Sequence, residues 1–286
     1  MEAEIAIIGG TGIYDQDAFE NVKEVDIDTP FGKPSDKIIV GEFEGRKVAF
    51  LPRHGRGHVY SPTNVPYRAN IYALKKLGVE RIISIAAVGS LKEEIKPLDI
   101  VIPDQIYDRT KFRPSTFFED VVVHVSFAQP FCPQLSKVVA SVIEELGYKY
   151  HFGGTYVCIE GPQFSTKAES NVYRQLGFDI IGMTALPEAK LAREAEICYV
   201  TIATVTDYDV WKDQEVDVAT VLENMAKNEE KVKNILRKLI PSIPKGRDCP
   251  CKDALKYAIT THPDRISYEV RRKLSIFLDK YLKKTK

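Results

Sequence analysis

Two carboxylates, Asp207 and Asp209, close a strand-forming run over residues 197–211, ICYVTIATVTDYDVW. Ile197 to Val205 is nearly all apolar or β-branched, the composition of a strand buried on both faces. Thr206, Asp207 and Asp209 follow at its end, flanked by Tyr208 and Trp211. In open α/β sheets, ligands bind beyond the carboxyl ends of the strands. Acids delivered there by a buried strand are candidates for proton transfer, although a strand ending in an Asp-rich turn reads the same way.

A second cluster is basic. A short apolar strand over residues 48–52 runs into Arg53-His54-Gly55-Arg56-Gly57-His58. The arginine fork suits phosphate oxygens, and His54 adds a donor beside it. The cluster is too short and too interrupted by glycine for a nucleic-acid patch. The opening EIAIIGGTGIYD is a buried strand entering a glycine turn. Asp15 stands where a dinucleotide fingerprint needs its third glycine, and no Gly-Lys-Ser/Thr follows to make a P-loop. What remains is a turn whose N–H groups and Thr11 hydroxyl could hold an oxyanion or simply reverse the chain. Ala86 and Ala87, near the end of a buried strand over 81–89, leave room for a ligand or for close packing. Ser165 suits a helix cap as well as a ligand contact.

The elements that must carry these groups alternate strand and helix. Residues 62–78 put Tyr67, Ile71 and Leu74 on one helix face, closed by Gly78. Residues 99–103 read as a strand and 134–146 as an amphipathic helix. The aromatic-rich stretch 107–131 between them reads as a long functional loop. A strand over 155–159 leads through Glu160-Gly161-Pro162-Gln163-Phe164-Ser165 into a helix ending near Leu176. A strand over 179–183 and the run from Ile197 complete a βαβαβ series. Residues 218–239 are helical, with Val218, Val221, Leu222 and Met225 on a stripe that suits core more than pocket. This alternation predicts one α/β domain over residues 1–286, with a mixed, mostly parallel central sheet flanked by helices. Residues 241–286 read as a C-terminal helical extension carrying a C-x-C.

With 44 % hydrophobic residues the chain can bury a sizeable core. Lys and Arg total 40 and Asp and Glu total 40, so no bulk field attracts nucleic acid or anionic membrane. No apolar run approaches the ~20 residues of a membrane span. MEAEIAIIGG lacks the basic region and cleavage site of a signal peptide, which predicts a cytoplasmic protein. Of the five cysteines, Cys132, Cys158 and Cys198 sit in apolar contexts that suit small core residues. A lone Cys249-Pro250-Cys251 offers too few ligands for zinc, so no metal site is expected.

The segments GGTGIYD, RHGRGH, Pro66-Tyr67-Arg68-Ala69-Asn70, GSLKEEIKPLDIVIPDQIYDRT, IEGPQFSTKAES and ATVTDYDVW closely resemble the trimeric purine nucleoside phosphorylase family. The resemblance covers roughly residues 4 to 240 and is closest to the branch that cleaves 5′-methylthioadenosine; the C-x-C tail resembles that of thermophilic archaeal members. It implies reversible phosphorolysis to adenine and 5-methylthioribose 1-phosphate, with inorganic phosphate as co-substrate and no other cofactor. It implies a phosphate site from Thr11, Arg53, His54, the Ala86-Ala87 backbone and Thr184. A purine site would come from Phe164, Ser165, Asp207 and Asp209, with Met183 against the ribose. Val218, Val221, Leu222 and a neighbouring subunit's His124 would line the 5′-methylthio pocket, in a trimer or a dimer of trimers. The link from Trp211 to Val218 is shorter than in the animal enzymes.

Phosphorolysis of an N-glycoside leaves negative charge on the departing purine, which a neutral carboxylic acid neutralises; Asp207 is the expected donor. Asp209 can accept from an exocyclic amine. The alternatives are a phosphorylase of 5′-methylthioinosine or of inosine and guanosine, a hydrolytic nucleosidase of similar fold, and a non-catalytic purine sensor. Spacing, context and the tail also predict that Cys249 bonds to Cys251 and Cys132 to Cys198.

Overall fold

Apolar runs separated by glycine turns become the strands of a mixed eleven-stranded sheet. The computed structural model describes residues 2–212 and 218–282. In its first third, β1 (Ile5–Gly9), β2 (Phe19–Val25), β3 (Ile38–Phe43), β4 (Arg46–Pro52), α1 (Tyr67–Leu77) and β5 (Arg81–Ser90) follow one another. Next come β6 (Ile100–Ile102), β7 (Gln105–Arg109), α2 (Pro133–Glu145), β8 (Tyr150–Phe152), β9 (Thr155–Ile159) and α3 (Lys167–Gln175). The remainder is β10 (Ile180–Gly182), α4 (Glu188–Glu194), β11 (Cys198–Asp207), α5 (Val218–Ser242), α6 (Tyr268–Lys273) and α7 (Ser275–Leu278).

Two apolar layers cover the sheet. Ile71 and Leu74 of α1, Ala189 and Leu191 of α4, and Leu255 and Phe277 of the tail pack on one side. Val139 and Ile143 of α2, with Ile235 and Leu239 of α5, pack on the other. The helix read from residue 62 begins at Tyr67, because the N–H of Val65 still closes a turn on Ser61 and Pro66 precedes the first helical residue. The expected core stripe of α5 starts later than its sequence suggests. Leu222 is 58 % exposed, and the buried positions begin at Asn228 and Val232.

Strand β5 organises the sheet. One edge pairs in parallel with β11 from Arg81 to Gly89. Its other edge pairs with β1 only from Arg81 to Ser84, and then with β10 at Gly89 and Ser90. Between those partners Ile85, Ala86, Ala87 and Val88 have no strand beside them on that edge among the described residues. The sheet therefore has a gap, one strand's width (~5 Å) from the end of β11. Unpaired backbone at strand ends is where α/β sheets receive ligands.

A candidate active site at the gap in the sheet

One wall of the gap is an ion pair. Arg53 directly follows β4 and is buried, and its Nε and Nη2 donate to the Glu188 carboxylate at 2.8 and 3.0 Å. Nη2 also donates to Ser84 Oγ at 2.7 Å, and Nη1 to the Ile85 carbonyl at 2.9 Å. Glu188, at the first turn of α4, further accepts from Ser84 Oγ and Tyr199 Oη. These partners take all but one of the guanidinium hydrogens, leaving an Nη1 hydrogen for an incoming anion.

His54 differs from its sequence reading as a donor. Its Nδ1 lies 2.8 Å from the Tyr60 carbonyl, and its ring stacks on His58 at 4.3 Å. Burial and the Arg53 charge push its pKa down to about 4. The neutral ring donates from Nδ1 to Tyr60, so Nε2 is an acceptor. Ala87 is the one exposed residue of β5.

Across β5 from the gap is the end of β11, where the ladder shifts register between Val205 and Asp207. Asp207 Oδ2 accepts from Thr206 Oγ1, and Oδ1 from the Asp209 N–H, both at 2.7 Å. Burial raises its pKa, and those two donors work against the rise. Asp209 has φ 51° and is 4 % exposed; its Oδ2 has no partner within hydrogen-bond distance among the described residues, although the buried Ser170 hydroxyl is near enough to oppose the rise in its pKa. Burial pushes its pKa up to about 6. Gly89 permits this arrangement, since a Cβ there would lie 2.8 Å from Asp207 Oδ1. Trp211 donates to the Ser90 carbonyl and stacks under Arg174, which makes it an anchor of the turn.

The loop from β9 leads into α3, whose Arg174 lies over Trp211 of the turn after β11. Thr166 with Glu169 caps α3, which frees Ser165 from the capping role its sequence allowed. Ser165 Oγ is buried without a partner among the described residues, and Phe164 is half-exposed beside it in sequence. Gly161 packs on Met183: a Cβ there would meet Met183 Sδ at 2.5 Å. Arg113, from the long loop, donates to the carbonyls of Ile159, Glu160, Met183 and Leu186. Glu160 accepts from Arg113, from Thr63 Oγ1 and from the Lys111 N–H. Thr184 follows Met183 directly beyond β10.

Val221 and Leu222 lie on the first turns of α5, which Asn224 and Asn228 tie to the carbonyls of Thr206 and Val205. The side chains of Thr11 and Val218 lie outside the described residues. His124 is exposed, in a crevice with Arg193 and Tyr257. Sequence reasoning missed Glu188, Arg113 and Glu160. Only Glu188 carried a local signal, an acid just after a proline at a helix start.

The cysteine expectations are corrected. All five are free thiols, and the Cys198 and Cys249 sulfurs lie 3.2 Å apart without a bond. Cys132 and Cys198 converge on the C-x-C, so it is not the isolated ligand pair it appears in sequence.

Partly buried Asp207 and buried Asp209 thus lie one strand away from the unpaired segment of β5. Residues 4–241 match the family model described as Phosphorylase superfamily, and the chain belongs to that family. It is 54 % identical over 284 residues to the S-methyl-5′-thioadenosine phosphorylase of Koribacter versatilis (strain Ellin345), covering 98 % of this chain and 97 % of that protein. The enzyme of that name from Nitrosopumilus maritimus (strain SCM1) is 57 % identical, covering 90 % and 98 %. The crystal structure of a methylthioadenosine phosphorylase from an antarctic soil metagenomic library superposes with a TM-score of 0.93 at 48 % identity, covering 97 % and 100 %. Relatives from such varied sources do not single out a thermophilic archaeal type.

Proposed function

We propose that this chain catalyses the reversible phosphorolysis of S-methyl-5′-thioadenosine to adenine and 5-methylthioribose 1-phosphate, a step of purine and methionine salvage. The carrying observation is the placement of Asp207 and Asp209 one strand away from the unpaired segment of β5. The names of the relatives support the substrate. Phosphate sits in the gap, held by the Arg53 Nη1 hydrogen, the Ala86-Ala87 backbone, Thr11 and Thr184. His54 Nε2 accepts from a hydroxyl of the phosphate or the ribose. Ser165 and Phe164 hold the purine, and Met183 faces the ribose.

A phosphate oxygen attacks C1′ opposite the base, the C1′–N9 bond breaks, and Asp207 protonates N7 of the departing adenine. Asp209 accepts from the exocyclic amine. The exposed His124 serves the 5′-pocket of a neighbouring copy beside Val221 and Leu222, which calls for a trimer or a dimer of trimers. Buried thiols suit a reducing cytoplasm.

Adenine release from 5′-methylthioadenosine that requires phosphate tests the reading; equal cleavage in phosphate-free buffer would make the protein a hydrolase. One observation favours a second reading, phosphorolysis of 5′-methylthioinosine or of inosine and guanosine. With Asp209 raised to about 6, a protonated fraction persists near neutrality and can donate to a 6-oxo group. Side-by-side turnover of 5′-methylthioadenosine, adenosine and inosine separates the two.

A further inference from the structure

Four cysteines converge at the other end of β11, roughly 30 Å from Asp207 by strand length. Cys132 caps α2, Cys198 opens β11, and Cys249 and Cys251 flank Pro250 beyond α5. Their sulfur atoms all lie within 4.8 Å of one another, and none of the four residues is more than 4 % exposed. Zinc–sulfur bonds of ~2.3 Å in a tetrahedron set sulfur–sulfur edges of ~3.8 Å. The Cys198–Cys249 separation of 3.2 Å and the 4.8 Å upper limit lie on either side of that edge.

The surroundings suit thiolates. The backbone N–H of Leu135 donates to Cys132 Sγ at 3.5 Å, and that of Cys251 to Cys249 Sγ. Such outer donors orient and stabilise sulfur ligands. Arg81 lines the small crevice beside Cys132 and Cys198, and its guanidinium donates to the carbonyls of Pro244, Lys245 and Gly246 just before the C-x-C. Packing a small apolar residue does not require three separate elements to aim four sulfurs at one point.

We propose that Cys132, Cys198, Cys249 and Cys251 form a structural zinc site, with four thiolates around one ion. Binding releases the four thiol protons and leaves no open coordination position, so the ion takes no part in the reaction. It ties α2, the base of β11 and the C-terminal segment into one unit. It also holds both sulfurs of the C-x-C without the strained ring that a bond between them would need.

The test is metal analysis of the whole protein, purified anaerobically from zinc-supplemented cells with a non-chelating reductant. About one zinc per chain is expected, falling below about a tenth in Cys249→Ser/Cys251→Ser and staying near one in Cys158→Ala. Replacing zinc by cobalt(II) should give the intense thiolate-to-metal absorption of a tetrahedral sulfur site. The double variant should lose more than about 5 °C of thermal midpoint while turnover at ambient temperature changes less than about twofold. If that variant does not fold, the wild-type metal count and cobalt spectrum still decide. Wild-type protein that is metal-free with four titratable thiols, or that yields two disulfides by mass spectrometry without reduction, overturns the site.

Discussion

The two walls of the candidate site are built on opposite terms. On the Arg53 side nearly every donor and acceptor is already matched within the protein, from Glu188 to Ser84, Tyr199 and Ile85. On the Asp209 side, Asp209 Oδ2 and Ser165 Oγ are buried without partners among the described residues. The matched wall can hold a strongly charged anion without rearranging. The unmatched wall keeps its hydrogen-bonding capacity for a ligand that presents both donors and acceptors, as a purine edge does.

The largest expected effect falls on the unmatched wall. Asp207→Asn should lower kcat for 5′-methylthioadenosine by ~10²–10⁴-fold, with binding weakened far less, because the amide donates but cannot transfer a proton. Asp209→Asn should cost less. The reverse order in steady-state kinetics would assign the proton to Asp209, the carboxyl with the unpartnered oxygen.

The matched wall should fail through folding. Arg53→Met leaves Glu188 buried without its cation and should cost ~3–5 kcal/mol in chemical denaturation, besides raising the KM for phosphate. Arg53→Met/Glu188→Leu should recover much of that stability while phosphate affinity stays poor. A single variant as stable as wild type would mean that the ion pair is not structural.

Smaller effects sharpen the contrast. In the unfolded chain Asp209 titrates near 3.8, and in the fold at about 6. Folding thus disfavours its charged form: stability is highest below pH ~4, falls as pH rises, and levels off above ~6 with ~2–3 kcal/mol lost. Asp209→Asn should remove most of that slope in denaturation midpoints between pH 4 and 7, with a remainder from Asp207. An unchanged slope would place the titration elsewhere. Ser165→Ala should weaken purine binding by ~1 kcal/mol in calorimetry and leave stability unchanged, since its hydroxyl has no partner to lose.

How far the sequence could be read follows from where each signal resides. Strands β1, β5, β9 and β11 are continuous apolar runs, and burial on both faces writes itself into local composition. Strand β2, FENVKEV, is exposed over most of its length and has no such signature. Asp207 and Asp209 stood out because a buried strand delivered them. Glu188 and Arg113 did not, because their partners lie 135 and 70 residues away in sequence. The cysteine convergence was hidden for the same reason: Cys132, Cys198 and the C-x-C share no local spacing, and only the ends of α2 and β11 bring them together.

Arg113 holds the carbonyls of Ile159, Glu160, Met183 and Leu186, so the loop carrying Phe164 and Ser165 is anchored before any ligand arrives. Fixing the backbone of one residue costs ~1–2 kcal/mol, so a loop of six residues that ordered only on binding would subtract ~6–12 kcal/mol from affinity. Here that entropy is lost during folding instead. A nucleoside meets a wall already standing.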